Sequence, residues 1–414
     1  MNLQIKVRLG IMMFLEYFVW ATWYVTVGTW LSSTLHFTGE QVGLIAGTTA
    51  LGAMIAPFVG TVADKLFATE KFLATLHLVG GVFLFLASQQ HSFGAIYTTL
   101  LLHCFCYMPT MALSNSMAFR LIRDPQKEFG SIRVMGTAGW IVASLVVGYM
   151  KLEASAVPLK FGAVASLVMG LYCFTMPHIP PPAKGEKLRA GSFFPVEAFA
   201  LLKERSMAIF AIASFLVCIP LQFYYAFTNV FLNQAGVVNA AGKMSGGQMS
   251  ELFCMLLIPF FFRRFGVKYM LAAGMLAWVM RYALFAYGNA GSGVWMLWLG
   301  ILLHGICYDF FFVTGQIYID RKAPAVLRSA AQGLISFLTY GLGLMTGSWI
   351  SGLIVDHYVL QAPLAGRTYD WRSIWLVAAV TSAVVLVFFL LFFREKKTDE
   401  IESATSATVD AIPL

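Results

Sequence analysis

Two acids lie where an apolar chain rarely keeps them. Asp309 falls inside Leu302–Gly315, LLHGICYDFFFVTG, next to Tyr308 and five residues after His304, in a run apolar on both sides and long enough to cross a bilayer. Glu251 follows Gln248 by three residues in another such run. A carboxylate near the centre of a bilayer is costly, and the cost is met by a partner, a wet cavity or a proton. Residues three, four or seven apart share a helix face. By that rule Arg133, Thr137 and Trp140 form one stripe, Gln222, Tyr225 and Asn229 a second, and Glu16, Trp20 and Trp23 a third. His304 and Tyr308 form a fourth beside Asp309. Lipid would not tolerate these faces, so they are expected to line a cavity. Rings beside Gln, Arg, Thr and carboxylate suit a neutral, flat, polar solute. The rings stack on it, the amides and guanidinium read its carbonyl and imino edge, and carboxylate or His accepts from hydroxyls. A nucleoside and a sugar both fit that description.

Other polar residues have plainer readings. Arg281, deep in its run, reads as half of a structural pair. Arg133 is near the start of its run, where snorkelling or a cytoplasmic gate would also explain it. His103 and His304 can act as hydrogen-bonded packing residues, and Glu251 and Asp309 as helix–helix ion pairs. The six cysteines, Cys104, Cys106, Cys173, Cys218, Cys254 and Cys307, all fall in apolar runs and read as small buried hydrophobes. No metal site, nucleophile triad or phosphate loop is visible, so neither an enzyme nor a cofactor is expected, only a proton gradient.

The elements that must position these residues are membrane helices. Of 414 residues 59% are hydrophobic and 12% charged, with a mean hydropathy of +0.75, about half the charge of a soluble domain. Apolar runs of helix length recur throughout, and the alternation of a barrel is absent. Twelve spans are expected, at 9–34, 40–63, 72–89, 93–119, 131–150, 157–177, 207–232, 244–262, 268–288, 293–319, 328–356 and 372–393. The formal charge of +8 follows the positive-inside rule and implies no nucleic acid. Twenty-one of the 28 Lys and Arg lie on the side that carries both termini and five on the other, with Arg133 and Arg281 inside spans. Both termini are therefore expected in the cytoplasm. Lys6 and Arg8 precede an apolar run that continues to about Leu31, holds Glu16 and lacks a small-residue cleavage site, so a signal peptide is not expected.

The chain also repeats. Leu101–Tyr107 reads LLHCFCY and Leu302–Tyr308 reads LLHGICY, an offset of 201 residues that also relates Arg120 to Arg321; Met108 stands where the second copy has Asp309. The expected organisation is an N-terminal six-helix bundle (1–178), a Pro-, Gly- and Lys-rich cytoplasmic linker (179–205) that could hold a short interfacial helix at 193–203, a C-terminal six-helix bundle (206–395) and a polar tail (396–414). The turns GTVADK (Gly60–Lys65) and RRFGVK (Arg263–Lys268) occupy matching places in the two halves. The first is similar to the loop motif of the major facilitator superfamily. The fold class is thus all-α integral membrane, twelve transmembrane helices in two six-helix bundles.

Nine stretches in order carry a closer likeness: YMPTMALSNS (Tyr107–Ser116), IRVMGTAGWI (Ile132–Ile141), MPHIP (Met176–Pro180), MAIF (Met207–Phe210), IPFFFRRFGVK (Ile258–Lys268), AWVMRYALFAYG (Ala277–Gly288), YDFFFVTG (Tyr308–Gly315), RSAAQG (Arg328–Gly333) and DWRSIWL (Asp370–Leu376). With them the sequence resembles the nucleoside:proton symporters of that superfamily, the bacterial nucleoside permeases. The resemblance implies a nucleoside site from spans five, seven, eight and ten, with Arg133, Thr137, Gln222, Gln248 and Glu251 as polar contacts and Asp309 in proton coupling. Trp140 and Tyr308 stand where the family pattern has Phe, His304 where it has Tyr, and Tyr225 where it has Asn. The connection around Gly236–Gln248 is short for the family.

The expected function is a proton-coupled nucleoside importer of the bacterial inner membrane, working by alternating access as a monomer in the lipid bilayer. Substrate contacts are assigned to Arg133, Thr137, Trp140, Gln222, Tyr225, Gln248, Glu251, His304 and Tyr308, and the coupling proton to Asp309 or Glu251. The alternatives are a proton symporter for a sugar or another neutral metabolite and, less compatible with so many hydrogen-bonding groups, a multidrug exporter.

Overall fold

The computed structural model describes residues 3–122, 124–181, 196–324, 327–361 and 367–394. Most of the expected linker and the expected tail at 396–414 lie outside these residues. At the end of the linker Val196–Lys203 forms a 3-10 helix where an interfacial helix is expected.

Twelve apolar helical segments cross the described chain. They are α1 (Leu3–Ser33), α2 (Gly39–Ala63), α3 (Thr69–Ala87), α4 (Phe93–Leu121), α5 (Glu128–Tyr149), the shorter α6 (Val157–Cys173) and α7 (Arg205–Gln234), then α8 and α9, the two limbs of Ala240–Tyr287, and α10 (Val294–Lys322), α11 (Ala330–His357) and α12 (Trp371–Phe392). The limbs α8 (240–265) and α9 (267–287) meet at Gly266, whose φ of +65° and ψ of −178° lie where only glycine sits without strain. The turn expected from RRFGVK is therefore one residue wide, and the spans expected at 244–262 and 268–288 run almost head to tail. A short antiparallel ladder, β1 (Val359–Gln361) with β2 (Thr368–Tyr369), is an addition to the expected all-helical chain.

Local sequence explains several helix ends. Thr38 and Gln41 form a reciprocal capping box at the start of α2. Asp356 adds to that end, accepting from the amides of Gly39 (2.6 Å) and Glu40 (2.8 Å) while Arg367 lies 3.3 Å away. Asp370 caps α12, accepting from Ser373 N at 3.2 Å and Ser373 Oγ at 2.5 Å. Those hydrogen bonds, the hydroxyl first, hold its carboxyl below the usual carboxylate range. In MPHIP, His178 Nδ1 and Ile179 N both meet Glu70 at the start of α3, at 2.7 and 3.0 Å.

The described residues fall into two compact units. One takes in Met1–Phe194, Gln222–Ser245 and Tyr340–Tyr369, the other Pro195–Leu221, Gly246–Thr339 and Asp370–Leu414. Within the first, α1 packs on α5 and α6, α3 on α4 and α6, and α2 on α4 and on the 344–357 stretch of α11. Within the second, the core is aromatic. Trp278, Tyr282, Phe285, Phe311, Phe210 and Trp375 are all fully buried, with Tyr282 stacked on Trp375 at 5.6 Å and its hydroxyl donating to Pro220 O at 2.6 Å.

Candidate functional site

The expected site residues divide between the two units, five in each, and each group is built differently.

In the first unit they sit on an aromatic run. Trp140 of α5 is buried, with its ring edge-on to Trp20 of α1 at 5.3 Å. Trp20 leans on Tyr24 at 5.4 Å, and Tyr24 on Tyr225 of α7 at 5.8 Å. Tyr107 of α4 closes on Trp20 at 6.3 Å. Trp140 and Tyr225, on different helices, are thus joined through two rings of α1. The sequence singles out Trp20 but not Tyr24, one turn further along the same helix, which has no polar residue three or four positions away. Arg133 is half-buried, its guanidinium 4.1 Å over the Tyr17 ring. Thr137, one turn on, is half-buried too. Gln222 is fully buried, and its Nε2 donates to Ser348 Oγ of α11 at 2.6 Å.

In the second unit a close helix crossing gathers the others. A Cβ on Gly305 would come within 2.5 Å of the Ser250 carbonyl oxygen, so this glycine lets α10 lie against α8. Gly305 N also donates to Ser250 Oγ at 3.0 Å. The crossing puts Gln248 and Glu251 of α8 beside His304, Tyr308 and Asp309 of α10. Asp309 is fully buried, and neither of its carboxylate oxygens has a hydrogen-bond partner among the described residues. Glu251, half-buried, is the charged group within electrostatic reach of it. Asp309 also begins a π-helical turn, Asp309–Val313, the kind of local widening that clusters at functional sites. Gln248 Oε1 is buried and likewise unpartnered among the described residues.

His304 has a specific neighbour. Arg281 Nη1 lies 3.1 Å from its Nδ1, and both side chains are fully buried or nearly so. A guanidinium only donates, so Nδ1 accepts and the ring hydrogen is on Nε2. The structural pair expected for Arg281 exists, and its partner is one of the expected substrate contacts. Asn229, on the stripe of Gln222 and Tyr225, takes a different role. It accepts from Thr29 Oγ1 at 2.6 Å and donates to Glu153 at 3.3 Å. Glu153, which sequence reasoning missed, also receives Asn233 at 2.5 Å and Ala241 N at 2.8 Å. It lies in a short loop, Lys151–Ser155, where an acid looks unremarkable in sequence.

A family model described as Nucleoside H+ symporter matches residues 3–398. The chain belongs to the nucleoside H+ symporter family. The symporter is 34% identical over 408 residues to the xanthosine permease of Escherichia coli (strain K12), covering 95% of this chain and 96% of that one. It is 33% identical over 410 residues to the nucleoside permease NupG of the same organism, covering 95% and 97%. A crystal structure of the nucleoside transporter NupG matches with a TM-score of 0.86 at 32% identity, covering 96% of the symporter and all of that chain. The likeness read from nine short stretches therefore extends along nearly the whole chain. The symporter is a multi-pass membrane transporter with the twelve-helix major facilitator fold, and not an enzyme. Among the described residues no group of three or more His, Cys, Asp and Glu is placed to hold a metal ion.

Proposed function

We propose that the symporter imports nucleosides, each with one or more protons, by alternating access. The match of residues 3–398 to a nucleoside H+ symporter model carries this reading, and the names of the relatives, a xanthosine permease and a nucleoside permease, favour a nucleoside over a sugar. Trp140 and Tyr308 are the rings offered to the base. Arg133, Thr137, Gln222, Gln248 and Glu251 hydrogen-bond base and ribose, and Tyr225 and His304 complete the contacts. Asp309 takes the proton, with Glu251 as the second acid. A carboxylate sealed from water without a hydrogen-bond donor is costly as an anion, so a proton there removes a buried charge.

The protein is a monomer of the bacterial inner membrane with both termini in the cytoplasm. Its halves, 1–178 and 206–395, are joined by the linker 179–205. A proton moving down the membrane potential supplies about 2.3 kcal/mol per 100 mV, enough for modest accumulation. The test is uptake of radiolabelled uridine and adenosine by cells lacking their own permeases, with unlabelled nucleosides, bases and sugars as competitors. Uptake abolished by a protonophore and blocked by nucleosides supports the reading. No nucleoside uptake, uptake indifferent to the protonophore, or competition by sugars alone overturns it.

A further inference from the structure

A second set of ionisable side chains lies sealed in the first unit, with no part in the function proposed above. Glu16 of α1 and His77 of α3 are 0% and 1% exposed, and Glu16 Oε2 lies 3.1 Å from His77 Nε2. Each end of this pair meets one hydroxyl that has two places to send its hydrogen. Ser166 Oγ of α6 is 2.8 Å from the His77 carbonyl oxygen and 3.2 Å from His77 Nδ1. Thr110 Oγ1 of α4 is 2.6 Å from Glu16 Oε1 and 2.5 Å from the Tyr107 carbonyl oxygen.

Counting hydrogens gives the network more than one state. When Ser166 donates to the carbonyl, which can only accept, its oxygen must accept from Nδ1, so Nδ1 carries a hydrogen. The 3.1 Å contact then needs a further hydrogen, on Nε2 or on Oε2, and the pair as a whole is neutral. When Ser166 turns its hydrogen to Nδ1 instead, Nδ1 is bare, Nε2–H donates to the carboxylate, and the pair has one proton fewer. Thr110 offers the same choice at the other end. It donates to a carboxylate Oε1, or it turns to the Tyr107 carbonyl and accepts from a protonated Oε1. No heavy atom has to move between these states.

We propose that Glu16 and His77 form a second proton-binding site of the symporter, one whose proton is taken up and released during transport. The proposal rests on the transport function proposed above. The other titratable groups facing the pair are Tyr107 and His103 of α4 and Cys173 of α6, and Tyr107 is in turn faced by Tyr17 of α1 and by Arg133 of α5, whose guanidinium lies over the Tyr17 ring. The site is also connected to the expected substrate contacts. Tyr107 OH donates to the Glu16 carbonyl oxygen at 2.5 Å, and Trp20, one turn after Glu16, packs on both Tyr107 and Trp140. A solute pressed on the Trp140 ring thus acts on the helix that carries the acid. The 201-residue offset that relates the halves puts Val217 and Trp278 at the corresponding positions, so the pair belongs to one half only.

Two measurements test this. The first needs no transport: infrared difference spectra of the purified full-length protein between acid and alkaline pH. The expected result is a carboxyl or imidazole band that persists in Asp309→Asn and vanishes in Glu16→Gln and His77→Gln. Spectra of the two pair variants identical to wild type overturn the proposal. The second uses radiolabelled uridine in proteoliposomes, comparing exchange at equilibrium with accumulation driven by a pH gradient. Glu16→Gln is expected to keep exchange within about twofold and to lose accumulation by about tenfold, the factor that one coupling proton is worth over roughly 60 mV. Ser166→Ala, which removes one hydroxyl and leaves the acid in place, is expected to shift the pH midpoint of accumulation by about one unit. Exchange and accumulation falling together in Glu16→Gln, with Ser166→Ala unchanged, would make the pair a helix clamp and overturn the proposal. Wild-type protein that moves no uridine overturns the proposed function, and the infrared arm still decides the proton site.

Discussion

At Asp309 a full negative charge has burial against it and, among the described residues, no donor to offset it. Asp309→Asn keeps the shape and removes the titration, so gradient-driven accumulation of uridine is expected to be lost while exchange persists. Accumulation equal to wild type would move the coupling role to Glu251. His304→Phe is expected to cost roughly 1–3 kcal/mol, because a buried guanidinium loses an acceptor, and a lowered melting temperature in detergent is the measure. Asp370 allows a pH prediction. Its carboxyl is held below the usual carboxylate range by Ser373, so its cap stabilises the fold above the ordinary carboxylate pKa and the benefit fades as the pH falls through the lowered value. Asp370→Ala is expected to cost about 1 kcal/mol near neutral pH, with the gap in melting temperature to wild type narrowing in acid. Asp309 was legible in the sequence because a charge in an apolar run has few explanations. Glu153 was not, because its partners Asn229, Asn233 and Ala241 lie far along the chain and nothing local marks an acid in a loop.

Helices show the same limit. Their number and approximate ends follow from apolar length, but the way they cross does not. Gly305 reads as one small residue among many until α8 is seen lying against it. Gly305→Leu is expected to separate α8 from α10, scatter Glu251 and Asp309 and abolish uptake with the protein still in the membrane; normal uptake would mean the crossing is dispensable. The π turns at Asp309–Val313 and Phe337–Gly343 likewise left no mark in the hydrophobic pattern, since one extra residue per turn barely alters it. Gly266 was legible as a turn residue, though its conformation was not. Gly266→Ala is expected to cost about 1–3 kcal/mol, through backbone strain alone, because a Cβ there meets nothing within 4 Å.

Across the whole chain the internal repeat was the most informative signal, and the structure shows how far the copies have diverged. The offset of 201 residues pairs His103 with His304 and Gly80 with Arg281. His103 Nδ1 donates to the Gly80 carbonyl at 2.9 Å, whereas His304 Nδ1 accepts from the Arg281 side chain. The two imidazoles occupy equivalent places as opposite tautomers. Nitrogen-15 resonances of the two rings are therefore separated by the fold itself. In a labelled sample, with His103→Gln and His304→Gln to assign them, each would serve as a native spectroscopic reporter for its own half of the molecule.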